Sequence, residues 1–251
     1  MQTLTNNKGV ETMTKSDASQ TTKNMTPSPS TFNHLDGLQQ YLKSNVGARQ
    51  GRAIPPLADW HPTQIADMDL VIKANGEWWH EGSKITRESL VSLFATVLWQ
   101  EKKDGVSEYF LKTPVQLLRI QVEDAPLLIN DVSIVIENEI SWLEFTTTTG
   151  DVVRLDDAHQ ISLQAYSLSK EHVSERHIIE EHSSENSAEQ TKRDESEIRP
   201  YMPVRQGLMA LIGRNAFYHL TEIGKFSEQN GTTVLTLSSG GQDYTVTMPI
   251  D

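Results

Sequence analysis

The chain contains no cysteine, which rules out thiol nucleophiles, disulfide staples and cysteine-ligated zinc, and which fits a reducing compartment. It also lacks any unbroken apolar run approaching the roughly 18 residues that a membrane span needs. The N-terminus has no apolar signal core, so neither a span nor a secretory signal is expected, and a cytoplasmic location is. Basic residues are scarce: 22 Lys and Arg face 34 Asp and Glu, a net charge of -12. Nucleic-acid backbones are bound by basic faces, so a nucleic-acid partner is not expected. The common enzyme signatures are missing as well. No Gly-x-Ser-x-Gly, Gly-x-Gly-x-x-Gly or His-Glu-x-x-His occurs, and no cofactor is implied.

Apolar residues are missing from two particular stretches. Residues 1–31 are rich in Thr, Asn, Ser and Lys and end in Pro27-Ser-Pro29, a composition that cannot offset the entropy of ordering. Residues 167–199 carry nine acidic and five basic side chains and three histidines. Both are expected to be disordered, with a transient helix at 172–182 in the second. The histidines, His172, His177 and His182, are spaced by five and cannot share a helix face, so a zinc site is not expected there.

The remaining sequence reads as α+β. An N-terminal half (32–106) begins with a helix carrying Leu35, Leu38, Tyr41 and Leu42 at helical spacing, capped by Asn33. A hairpin follows, with Asn75-Gly76 predicting a type I′ turn, and then a helix capped by Thr86 with Leu90, Val91, Phe94, Val97 and Leu98 on one stripe. The C-terminal half (107–250) has strands expected at 108–112, 115–122, 127–136, 141–148, 152–155 and 160–166. Order resumes at Tyr201 with a helix at 206–212 ended by Gly213, a second helix at 216–222 capped by Asn215, and a terminal hairpin through Gly240-Gly241.

An internal echo ties the halves together. Arg87-Glu-Ser-Leu90-Val91-Ser-Leu93-Phe94 and Arg205-Gln-Gly-Leu208-Met209-Ala-Leu211-Ile212 share an arginine followed by apolar positions at +3, +4, +6 and +7. This predicts an internal duplication: two related α+β halves with largely antiparallel sheets and a ligand cleft between them.

Candidate chemistry is confined to a few side chains. Asp67 and Asp69 alternate onto one face of a strand, near Glu81, where paired carboxylates either bind Mg²⁺ or are simply solvated. Asp124, in Glu123-Asp124-Ala-Pro126, either closes a turn or holds a polyol. Arg205, read as preceding a helix and followed by Gly207, suits an anion at free helix-start amides or an ion pair.

Several phrases in order resemble a bacterial family of uncharacterised cytoplasmic proteins, classed as a domain of unknown function. They are Trp60-His-Pro62, Asp67-Met-Asp69, Trp78-Trp-His-Glu81-Gly82, Thr113-Pro114-Val115, Val122-Glu-Asp-Ala-Pro126, Pro200-Tyr201, Val204-Arg205 and Phe217-Tyr218, followed by the Ser239-Gly-Gly241 hairpin. The resemblance spans residues 54–250 apart from the insert. It implies a duplicated core, a C-terminal part like a pleckstrin-homology fold, and a small, nucleotide-like ligand bound between the halves in signalling. The positions it implies are Asp67, Asp69, Glu81, Asp124 and Arg205, with Tyr218 nearby.

The functional expectation is therefore a non-enzymatic module that binds a small anionic or nucleotide-like ligand at the junction of the halves. Two alternatives stay open: a Mg²⁺-dependent phosphate-ester hydrolase built on Asp67, Asp69 and Asp124, and a scaffold that docks a protein partner.

Overall fold

The computed structural model describes residues 35–45, 54–166 and 197–248. The stretch 1–31, the cap Asn33, the helix at 172–182 and the three histidines of the insert lie outside these residues.

Helix α1 (Leu35–Asn45) buries Leu38 and Leu42 completely, as their spacing predicts. Strand β1 (Gln64–Ile72) alternates exposed and buried positions and turns through Ala74–Gly76 into β2 (Trp78–His80) and β3 (Ser83–Lys84). Helix α2 (Glu88–Thr96) buries Leu90 and Phe94, and β4 (Leu98–Lys103), β5 (Val106–Lys112) and β6 (Gln116–Val122) complete the first sheet. The order across that sheet is β3-β2-β1-β6-β5-β4. Strands β1 and β6 run parallel at its centre, and every other neighbour is antiparallel.

The second sheet repeats this plan. It comprises β7 (Leu127–Glu137), β8 (Ile140–Thr147), β9 (Val152–Arg154), β10 (Ser162–Tyr166), β11 (Glu197–Arg205) and β12 (Leu208–Ile212), in the order β10-β11-β12-β7-β8-β9. Here too a parallel pair, β12 with β7, sits at the centre between antiparallel meanders. In each half the chain starts at the centre, winds to one edge, crosses to the other and winds back. The molecule thus has two related α+β halves, largely antiparallel. Helix α3 (Arg214–Ile223) and a three-stranded sheet of β13 (Lys225–Gln229), β14 (Thr232–Ser239) and β15 (Gln242–Thr247) follow.

The duplication is real, but the echo that suggested it is not its trace. Arg87 precedes helix α2, whereas Arg205 ends strand β11 and the expected helix at 206–212 is strand β12. By topology β12 is the counterpart of β6, not of α2. Gln206 and Gly207 both lie at positive φ (48° and 81°), forming the two-residue type I′ turn between Arg205 and Leu208. The sheets change over between Val122 and Leu127, while the division at 106/107 falls at the start of β5.

Several local expectations shift too. At Asn75-Gly76 only Gly76 is left-handed (φ 82°), and its amide bonds the carbonyl of Lys73, so the turn is not type I′. The residue flanking α2 is Arg87 rather than Thr86, and Gly213 rather than Asn215 precedes α3. Strand β11 starts at Glu197, four residues before Tyr201, because Ile198 and Glu197 pair with Ala165 and Tyr166. One continuous core, from Leu38 and Phe94 through Phe145 to Leu235, joins both halves and the third sheet.

Candidate functional site

The six singled-out residues do not gather at one site. Asp67 and Asp69 do share a face of β1, but it is the solvent face: Asp67 is 82% exposed and pairs with Arg119 at 3.0 Å. Glu81 is the first residue of a type I′ turn with Gly82, at φ 47°, and its side chain is 63% exposed. Asp124 lies at the other end of the sheet. In the β1–β6 register Ile72 faces Val122, five residues beyond Asp67, a run of about 16 Å at a strand's rise. One ion ligated at about 2.1 Å cannot bridge that distance. Among the described residues no group of three His, Cys, Asp or Glu side chains could hold a metal ion, so the carboxylate cluster of the hydrolase alternative does not form.

Arg205 does not stand at a helix start. Its Nε donates to Asp151 at 2.9 Å and an Nη donates to the carbonyl oxygen of Ala95, in the last turn of α2. The side chains of Arg205 and Asp151 are 14% and 6% exposed, so this buried pair belongs to the packing of one half on the other. Tyr218 lies on the outward face of α3, beside an apolar cavity.

Asp124 is where polar groups converge between the halves. It sits in the link from β6 to β7, and its side chain is 5% exposed. Its two oxygens accept hydrogen bonds from Arg199 Nη1 (2.8 Å) and Tyr201 Oη (2.6 Å), both on β11. Alternation along a strand puts residues 199 and 201 on one side, which is why both reach the same carboxylate. Arg199 also grips Glu197 and stacks 3.7 Å above the ring of Tyr166. Glu123, the neighbour of Asp124, pairs with Lys73 at 2.8 Å and accepts the amide of Ala74.

Glu123, Asp124, Tyr166 and Tyr201 edge a cleft of about 340 Å³, walled also by Tyr109 from the first sheet, Ala125 and Pro126 from the link, and Gln164 and Met209 from the second sheet. The Tyr166 hydroxyl is buried and makes no hydrogen bond of good geometry among the described residues, although the Arg199 guanidinium lies beside it. Burial, reinforced by the Asp124 carboxylate it donates to, pushes the Tyr201 phenol far above the ordinary range. Burial also raises Tyr166, against the opposing charge of Arg199, and raises Tyr109. Burial alone would lower Arg199, but Glu197 and Asp124 together hold it above its usual value. The cleft thus offers phenols held in their protonated form beside carboxylate oxygens, a set suited to hydroxyl and amino groups.

Sequence reasoning found Asp124 and missed Tyr109, Tyr166 and Arg199. The last two are brought together only by the β10–β11 pairing across the insert, which no local pattern reveals.

Comparison with known families matches residues 55–125 to a domain of unknown function (DUF1285), N-terminal domain, and residues 180–246 to a protein of unknown function (DUF1285), C-terminal domain. A crystal structure of a DUF1285 family protein from Silicibacter pomeroyi is similar at 26% identity and a TM-score of 0.61, covering 86% of this chain and 94% of that one. Another, from Shewanella baltica, aligns at 26% identity over 61% of this chain and 91% of that one, with a TM-score of 0.37. No curated protein matches.

Proposed function

We propose that this chain, which belongs to the DUF1285 family, is a non-enzymatic module that binds a small hydroxyl-bearing ligand in the cleft around Asp124. One observation carries the reading: the Tyr166 hydroxyl is buried in that cleft without a well-aligned hydrogen-bond partner among the described residues. Leaving such a group unsatisfied costs about 1–3 kcal/mol, which a bound ligand would recover.

The charge of the walls narrows the class. Glu123 and Asp124 bring two carboxylates, and Arg199 is already engaged by Asp124 and Glu197. The ribose of a nucleoside fits these walls better than its phosphates, so the nucleotide-like reading survives as a nucleoside or a polyol. The tyrosine rings offer faces for a base to stack on. A protein that holds its ligand unchanged would act by reporting its presence, the signalling role that the resemblance implies.

Thermal-shift titration with adenosine, guanosine, ribose and inositol tests this against wild type and Tyr166→Phe. A rise in melting temperature with one of these probes, lost or at least halved in Tyr166→Phe, is the expected result. Equal shifts in both proteins, or none in wild type with any probe, would overturn it.

A further inference from the structure

A second cavity, on the other side of Arg199, is of a different kind. It encloses about 720 Å³ between α3, the end of the second sheet and the Ala74-Asn75 turn of the first half. Its walls are mainly aliphatic and aromatic, with Leu128, Leu163, Leu211 and Phe217 among them. The volume falls within the roughly 300–1,000 Å³ of small-molecule sites.

Charge at its edge is asymmetric. Arg199 reaches it but is neutralised by Asp124 and Glu197. Arg214, the first residue of α3, also lines the cavity, and no described carboxylate pairs with it. A guanidinium with no carboxylate partner among the described residues, at the mouth of an apolar chamber, complements one ligand architecture: an apolar body ending in a single anionic group. We infer that this cavity binds a free straight-chain monocarboxylate, its chain against Leu128 and Phe217 and its carboxylate on Arg214. The site is separate from the cleft at Asp124, since Tyr166 and Tyr201 do not line it.

Isothermal titration of the full chain with dodecanoate, below its micellar concentration, tests the inference beside dodecanol and dodecyltrimethylammonium. Dodecanoate is expected to bind at least tenfold more tightly than either. Arg214→Glu should weaken it about tenfold or more. Ile198→Trp, which fills the cavity from a residue already 42% exposed and so spares the fold, should abolish it. Tyr166→Phe should leave it unchanged, which keeps failure here distinct from failure at the polar cleft. No dodecanoate binding by wild type, equal affinity for the cationic chain, or full binding by Ile198→Trp would each overturn the assignment. Sedimentation of the protein with phosphatidylcholine vesicles, without binding of monomeric dodecanoate, would overturn it in favour of a membrane contact.

Discussion

Gly76, in the first half, lies so close to Leu128, in the second, that an added Cβ would come within 2.7 Å of a leucine methyl carbon. The same glycine has φ 82°, in the left-handed region that a side chain resists. Both constraints act on one residue, at the point where the first half's opening hairpin becomes a wall of the apolar cavity. Gly76→Ala is therefore expected to destabilise the protein by about 2 kcal/mol or more, the strain and the clash adding. Urea unfolding that places the variant within about 0.5 kcal/mol of wild type would show that the halves have slack at this contact.

Arg205 and Asp151 make a buried pair tied to the Ala95 carbonyl of the other half. Removing the guanidinium takes a buried counter-charge away from Asp151, and Arg205→Met should cost about 3–5 kcal/mol. Asp67→Asn, which breaks an exposed pair with Arg119, should cost less than about 1 kcal/mol. Comparable losses in the two variants, measured by the same denaturation, would contradict the burial argument.

Tyr166→Phe removes a hydroxyl that has no well-aligned partner among the described residues, so without ligand it should leave stability unchanged or raise it by up to about 1 kcal/mol. A loss of more than about 1 kcal/mol would mean that the hydroxyl is satisfied after all.

Alkaline pH should unfold the protein partly through Tyr201. Its folded pKa is raised, first by burial and then by Asp124, so the unfolded chain gives up this proton more readily. The stabilisation is fully present below the ordinary phenol pKa of about 10 and is lost as pH rises from there through the folded value. Tyr201→Phe should flatten the fall in melting temperature above about pH 10. An unchanged slope would assign the alkaline sensitivity elsewhere.

The β7–β8 hairpin turns through Asn138 and Glu139 at φ 51° and 66°, so a glutamate occupies a position that glycine fills with less strain. Glu139→Gly is expected to stabilise the fold by about 0.5–1 kcal/mol. A destabilised variant would mean that the glutamate side chain contributes more than its backbone strain costs.

Most strands were legible in the sequence. Alternation and turn residues placed β5 to β10 to within a few residues, because a half-buried sheet imposes a period of two. The segment after Arg205 was misread for a physical reason. Leu208, Met209, Leu211 and Ile212 fit a helical stripe as well as a buried strand, and five residues are too few to separate the periods. The pair Gln206-Gly207 was the decisive signal. The same X-Gly turn recurs at Glu81-Gly82, Asp104-Gly105 and Asn230-Gly231, each with both residues left-handed. Of the candidate cleft, Asp124 was visible as part of an acidic corner before a proline, a pattern that fits a turn as well as a polyol site. Tyr166 and Arg199 were not, because their neighbourhood depends on a pairing across thirty intervening residues.

The parallel pair at the heart of each sheet bears on how the protein folds. Gln64 finds its neighbour at Gln116, and Leu127 finds its neighbour at Ala210. Neither centre can zip up until the intervening meanders have been threaded into place. Such distant pairings make folding slow, and the last amides of each half to gain protection from exchange should be those along its middle.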